Sequence, residues 1–259
     1  MLTRHHLILD LARHQGKVSV DELSQRFDVT PQTIRKDLNE LCERKLLARM
    51  HGGAMISSGA ENVGYEARRS FAAEGKMAIA RAVATLVPER ASVFVAIGTT
   101  TGAVAQELLQ HTGLLVVTND LMVANMMRPY PNLEVVIAGG TVRRSDAGVV
   151  GEAAVEFVEQ YRVDYAVLGA SAIDGDGTLL DYDYREVKVT QAVLRSARNT
   201  ILVADATKFE RAAPVRVAHL REVGTLVCDV SPGESACRMV KEAGPQLIIA
   251  SDAQFETGA

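Results

Sequence analysis

The sequence predicts two units: a small, mainly α-helical N-terminal domain that ends in a β-hairpin, and a larger C-terminal α/β domain with a mainly parallel sheet. Three observations carry this. A pair of capped helices over residues 18–41 is followed directly by two short apolar arms around a glycine pair. From residue 92 onward, six short apolar runs recur with helical segments between most of them. A polar, small-residue stretch separates the two patterns. A length of 259 residues is also more than one domain usually takes.

Thr3 can cap a first helix with Leu7, Ile8 and Leu11 on its inner face, ended by Gly16. Ser19 followed by Glu22 has capping-box spacing, so a second helix starts at Val20, with Leu23 and Phe27 on one face. Asp28 and Val29 interrupt the pattern. Thr30 then caps a third helix and Pro31 takes its first position, where a missing N–H costs nothing. Ile34, Leu38 and Leu41 form its inner stripe. Gln32, Thr33, Arg35, Lys36 and Asn39 are left outward. Gln, Asn and Arg hydrogen-bond base edges bidentately, and Lys and Arg neutralise phosphates. By itself this face is equally an ordinary solvated one. The next stretch decides between them. Residues 46–56, LLARMHGGAMI, set His51, Gly52 and Gly53 between strand-like arms, which suits a tight hairpin. A hairpin after such a helix is a wing, with Arg49 and His51 on or near its tip. The DNA-facing set is therefore Thr30, Gln32, Thr33, Arg35, Lys36, Asn39, Arg49, His51 and Gly52.

Charge agrees with a confined nucleic-acid surface rather than a generally basic protein. The formal net charge is −4. Residues 1–54 hold nine Lys/Arg against seven Asp/Glu and four of the six histidines, and the rest is net acidic. So small an excess binds DNA weakly from one copy, because non-specific affinity scales with phosphates neutralised. A homo-oligomer, dimer or tetramer, is expected. No apolar run reaches the length of a membrane span, and no signal peptide is evident. Cys42, Cys228 and Cys237 are scattered, as in a reduced cytoplasmic protein.

The expected boundaries are 1–57 for the DNA-binding domain, 58–75 for a linker that tips into a helix near 65–70, and 76–259 for the second domain. A helix over 76–87 stops at Pro88. Strands are expected at 92–97, 114–118, 133–138, 165–169, 201–204 and 246–250, and helices at 103–110, 121–128, 152–161, 184–198 and 234–243. This alternation means right-handed βαβ units and a mainly parallel sheet. Ligands of such sheets bind beyond the carboxyl ends of the strands.

The first strand is followed by Gly98, Thr99, Thr100, Thr101 and then a helix, so backbone N–H groups and a helix dipole face an anion. There is no lysine for a Walker loop and no GxGxxG spacing. Asn119 follows the second strand. Gly139 and Gly140 follow the third, with Arg143 and Arg144 close behind, and an arginine there can clamp phosphate. After the fourth comes Asp174, with Glu186 further on; both can accept sugar hydroxyls. Lys208, after the fifth, is either a phosphate partner or the ion-pair partner of Asp205. No metal-ligand spacing or cofactor fingerprint is present; residues 174–179 lack the glycine an EF-hand loop needs.

The run TPQTIRKDL at 30–38 with LARMHGGA at 47–54 resembles the DeoR family of bacterial transcriptional repressors. So do Gly151-Glu152-Ala153, the Asp174 to Val187 stretch and Asp205-x-x-Lys208-Phe209. The resemblance implies an N-terminal winged helix-turn-helix and a sensor domain like ribose-5-phosphate isomerase and CoA-transferases. It implies a repressor of a sugar- or glycerol-phosphate regulon, bound to double-stranded operator DNA and released by a small phosphorylated metabolite. The phosphate would lie at residues 98–101, with Lys208 and the carboxylates near the polyol end. One departure is Ala96, where family members commonly carry an aspartate. An isomerase with an added DNA-binding domain is the competing reading. Isomerases of this fold use a lysine between the two carboxylates, and residues 177–182 supply none, so a developing enediolate lacks stabilisation. Binding without turnover is expected.

Overall fold

The computed structural model describes residues 3–15, 17–44, 46–50, 52–56, 68 and 72–251. The chain divides into two compact units, Met1–Ser70 and Phe71–Ala259.

In the first unit, α1 (Thr3–Gln15), β1 (Lys17–Ser19), α2 (Val20–Phe27), α3 (Pro31–Glu43), β2 (Leu47–Met50) and β3 (Gly53–Ile56) follow in order. The helix starts fall where the caps place them. Ser19 Oγ accepts from the Glu22 N–H at 3.1 Å, and Thr30 Oγ1 accepts from the Thr33 N–H at 3.2 Å. Asp28, left-handed at φ 49°, ends α2.

Three details differ from expectation. The buried face of α1 is His5, Ile8, Leu9 and Ala12, whereas Leu7 is 47% exposed. A third strand, β1, pairs antiparallel with β3, giving the order β1-β3-β2. The wing turn is not a Gly-Gly turn, because Met50 already pairs with Gly53 and only residues 51 and 52 lie between. Gly52 takes φ +76°, which favours glycine. Gly53 is needed for a different reason: a Cβ there would stand 2.1 Å from the Val18 carbonyl of β1. Both glycines are explained, one by backbone conformation and one by close approach. His51 and the expected helical stretch at 65–70, apart from helical Arg68, lie outside the described residues.

The second unit opens with α4 (Ala73–Leu86), three residues earlier than the expected helix, and continues with β4 (Ser92–Val95), α5 (Thr99–Glu107), β5 (Leu114–Thr118), α6 (Leu121–Met127) and β6 (Leu133–Ile137). A small hairpin follows, β7 (Thr141–Val142) and β8 (Val149–Val150), then α7 (Glu152–Glu159) and β9 (Tyr165–Gly169). After these come β10 (Ala172–Ile173), β11 (Thr178–Asp181), α8 (Tyr184–Ser196), β12 (Asn199–Ala204), β13 (Val215–His219), β14 (Thr225–Cys228), α9 (Glu234–Ala243) and β15 (Gln246–Ile249).

Seven strands form one parallel sheet in the order β15-β14-β12-β9-β4-β5-β6. β14 is an addition to the six expected strands, and β10-β11-β13 form an antiparallel side sheet that was not expected. Alternation along β4 divides the core. Val93 and Val95 pack with Ile79 of α4, Val104 of α5 and Met127 of α6. Phe94 packs on the other face with Val158 of α7, Val193 of α8 and Val240 of α9. Each such fully buried side chain contributes about 1.5–3 kcal/mol. The chain leaves β4 first toward β5 and β6, and later builds outward from β9 on the opposite side. The crevice beyond β4 and β9 is thus the topological switch point of the sheet, where such folds bind ligands.

Candidate functional site

The face of α3 expected to meet DNA comes from register along the helix. Buried Ile34, Asp37, Leu38 and Leu41 and exposed Gln32, Arg35, Lys36 and Asn39 follow the same helical spacing, two residues apart. At about 100° per residue, an offset of two puts the stripes on opposite sides. Thr30 is exposed and Thr33 half-buried at the helix start, with their hydroxyls 2.9 Å apart. Arg49 stands in β2 opposite Ala54, and Gly52 is exposed in the turn.

Asp37 was not foreseen as an inner residue. Its carboxylate accepts from Arg4 Nε at 2.6 Å and Nη2 at 3.2 Å, and lies 3.1 Å from His5 Nε2. Burial pushes Asp37 up, but the bonds from Arg4 and His5 outweigh it and hold the carboxyl below its ordinary value. The recognition helix is therefore fixed to α1 by charge as well as by apolar packing.

In the second unit, Gly98 begins α5 at φ +155°, and a Cβ there would lie 2.8 Å from Thr101 Oγ1. Thr99, Thr100 and Thr101 are the first three residues of α5 rather than a loop before it. First-turn N–H groups have no partner within their own helix, and α5 opens just beyond the carboxyl end of β4. Thr101 is buried and donates its hydroxyl to the Gly98 carbonyl at 3.0 Å, which makes its side chain a brace for the turn.

Asn119 is buried after β5. Its side-chain amide donates to the Val149 carbonyl at 3.1 Å, and its backbone carbonyl accepts from the Val149 N–H at 2.7 Å. Asp120, not foreseen as a site residue, starts α6: its Oδ1 accepts from Met122 N–H at 2.8 Å and Val123 N–H at 3.4 Å. Burial pushes the Asp120 carboxyl up to about 6, with Asp146 adding to the rise and the Met122, Val123 and Gly98 amides opposing it. Asn119 Oδ1 and Asp120 Oδ2 are buried and have no hydrogen-bond partner among the described residues.

Arg143 does not stand as a free phosphate clamp. It holds Asp146 through Nε at 2.8 Å and Nη2 at 2.6 Å, Asp183 through Nη1 at 3.0 Å, and Glu186 through Nη2. Three carboxylates, one from its own loop and two from the start of α8, thus share one guanidinium. Releasing it would strand charge in a half-buried place. Burial, then Asp181 and Asp146, push Glu186 up to about 7 against the pull of Arg143. Asp183 is held well below the usual carboxylate range, first by Arg185 and also by Arg143. Asp181 accepts from Ser171 Oγ at 3.0 Å and from the Tyr182 N–H at 2.7 Å, which ties this acidic cluster to the switch point.

Other expected residues disperse. Asp174 is not brought to Glu186: it is exposed in the β10–β11 turn, where its carboxylate accepts from the Gly175 N–H at 2.8 Å. Asp181, at the other end of that hairpin, is the carboxylate that does act on Glu186. Gly139 and Gly140 are exposed after β6, and a Cβ on Gly140 (φ +147°) would sit 3.0 Å from the Val150 carbonyl. Lys208 is half-buried next to Asp205; its charge, and that of buried Lys76 on α4, hold the Asp205 carboxyl down against burial. Among the described residues no group of His, Cys, Asp and Glu could hold a metal ion, and no helix is long and apolar enough to cross a membrane.

A winged helix-turn-helix followed in the chain by an α/β domain with a seven-stranded parallel sheet is the architecture of a transcription regulator with a sensor domain. Residues 4–59 match the DeoR-like helix-turn-helix domain and residues 72–230 the DeoR C terminal sensor domain. The chain belongs to the DeoR family. It is 46% identical to a glycerol-3-phosphate regulon repressor of Haemophilus influenzae over 95% of this chain and 96% of that one. It is 41% identical to the repressor of the same name in Escherichia coli, over 94% and 97%. Among solved structures, ribose 5-phosphate isomerase A from Methanocaldococcus jannaschii aligns with a TM-score of 0.40 at 15% identity, over 53% of this chain and 54% of that one. With repressors as its relatives, the chain is a regulator of transcription and not an enzyme.

Proposed function

We propose that this chain represses a glycerol-phosphate catabolic regulon in the cytoplasm and leaves its operator when glycerol 3-phosphate binds beyond β4. The observation that supports the reading is that Gly98, Thr99, Thr100 and Thr101 open α5 at the switch point of the sheet, where first-turn amides lack partners within their own helix. The phosphate sits on that turn, and the glycerol hydroxyls reach toward Glu186 and Asp181. The names of the two repressor relatives favour glycerol 3-phosphate over a pentose phosphate. On the DNA side, Gln32, Arg35, Lys36 and Asn39 read the groove, with Thr30, Thr33 and the wing residues Arg49, His51 and Gly52 beside the backbone. The chain works as a homo-oligomer, because one recognition helix neutralises few phosphates and paired half-sites multiply the contacts.

The test is a thermal-shift screen of three- to six-carbon phosphorylated metabolites, followed by operator release. Glycerol 3-phosphate should raise the melting temperature and release DNA, and glycerol should do neither. Thr100→Val should keep operator affinity and lose the response. No response from wild type to glycerol 3-phosphate would reject the effector, and an unchanged response in Thr100→Val would reject the location.

A further inference from the structure

Asp120 is an unusual neighbour for an anion site. It is 0% exposed, begins α6 immediately beyond β5, and lies close enough to the Gly98 amide for that group to act on its carboxylate. Oδ1 is occupied by the Met122 and Val123 amides, while Oδ2 is buried without a partner. Among the described residues, the groups that bear most on its carboxylate include no cation. The β4–α5 connection offers the Gly98 amide, α6 offers its own first amides, and the β7–β8 loop offers another acid, Asp146, whose carboxylate is taken up by Arg143. A buried carboxylate of this kind, whose Oδ2 makes no hydrogen bond of normal geometry although the Gly98 amide acts on the group, repels a phosphate on the start of α5.

We propose that Asp120 is the specificity-determining residue of this anion site, accepting a proton from solvent on Oδ2 when a phosphate group binds and returning it on release. This rests on the phosphate reading of residues 98–101. The step moves one proton and breaks no other bond. Protonation removes the like-charge repulsion and turns Oδ2 from an unpaired acceptor into a donor. Burial has already raised the carboxyl to about 6, so an adjacent dianion needs only to push it further. A ligand that brings no negative charge to the turn gains nothing from the proton, so the site discriminates by charge as well as by shape.

The experiment is calorimetric titration of the full chain with glycerol 3-phosphate at pH 7.0, 7.5 and 8.0, in two buffers of different ionisation heat. Across this range the phosphate is largely dianionic already. Wild type should take up close to one proton per ligand and lose about tenfold in affinity per pH unit. Asp120→Asn keeps an oxygen to cap α6; it should bind with little pH dependence, take up no proton and be tighter than wild type at pH 8.0. Binding by wild type without proton uptake overturns the inference and leaves the phosphate reading standing, as does weaker binding by Asp120→Asn at every pH. Absence of binding by wild type at every pH overturns both.

Discussion

Asp37 and Asp120 are both buried aspartates, one on α3 and one beside the proposed phosphate turn, and their surroundings treat them in opposite ways. Asp37 faces two basic side chains, Arg4 and His5, and its carboxyl is held below the ordinary value. Among the described residues Asp120 is met chiefly by amides and by the charge of Asp146, and burial raises its carboxyl to about 6. The difference follows what each unit has to do. A recognition helix must keep one orientation, so its buried charge is compensated and locked. In the proposed sensor, the buried charge of Asp120 is one that an incoming phosphate can tip.

The comparison can be broken at either end, and the largest effect is expected at Arg143. Arg143→Ala leaves Asp146, Asp183 and Glu186 without their shared cation. Removing one side of such a network costs about 3–5 kcal/mol. Denaturant unfolding of the Phe71–Ala259 unit should show that loss, while the Met1–Ser70 unit melts as before.

Asp37→Ala comes next, at about 3 kcal/mol, because it strands the buried His5 and the Arg4 beside it. The loss should fall on the N-terminal unit and carry operator affinity with it. In wild type the Asp37 contribution has a definite pH sign. A depressed carboxyl stabilises above its unfolded pKa, and that stability is lost as pH falls through the folded value, so the N-terminal unit should weaken below about pH 4.

Asp120 carries the reverse sign. Its folded pKa of about 6 lies above the unfolded value, so the folded state binds the proton more tightly. Stability is fully present below about pH 4 and lost as pH rises through about 6. Asp120→Asn should therefore stabilise the second unit by about 2 kcal/mol at pH 7.5 and by little at pH 4. Thermal unfolding at the two pH values reads this directly, and destabilisation by the variant at pH 7.5 would contradict it. Arg35→Ala should change folding least, by under about 0.5 kcal/mol, while weakening operator binding about tenfold. A large loss of stability there would make Arg35 a structural residue.

The recognition helix was legible because each of its signals is local. Ser19, Thr30 and Pro31 mark the helix starts, and Ile34, Leu38 and Leu41 mark the inner face. Asp37 belongs to the same inner stripe but reads as a solvated charge until α1 is folded against it, since its partners lie 32 and 33 residues away. Strand β1 is three residues long and has no pattern of its own; it exists because β3 pairs with it. β14, only four residues long, was passed over although Gly224 and Asp229 bracket it. Gly98-Thr99-Thr100-Thr101 stood out as a turn before a helix, but the helix begins at Thr99 itself, because a glycine cap lets small hydroxyl residues fill its first turn. The fate of Arg143 was not visible, since two of its carboxylates come from 40 and 43 residues further on. Asp120 is the instructive miss. Its position marks it as a helix cap, which it is, but no sequence pattern shows that its second oxygen lacks a partner.

The claim that joins the two units is that occupancy of the phosphate turn decides operator binding. Operator DNA selected from a randomised duplex pool, titrated with the full chain with and without saturating glycerol 3-phosphate, tests it most directly. Typical coupling between sites is about 1–3 kcal/mol, so affinity should drop about 5- to 150-fold with ligand and stay unchanged with glycerol. Equal operator affinity in the presence of bound glycerol 3-phosphate would contradict the account.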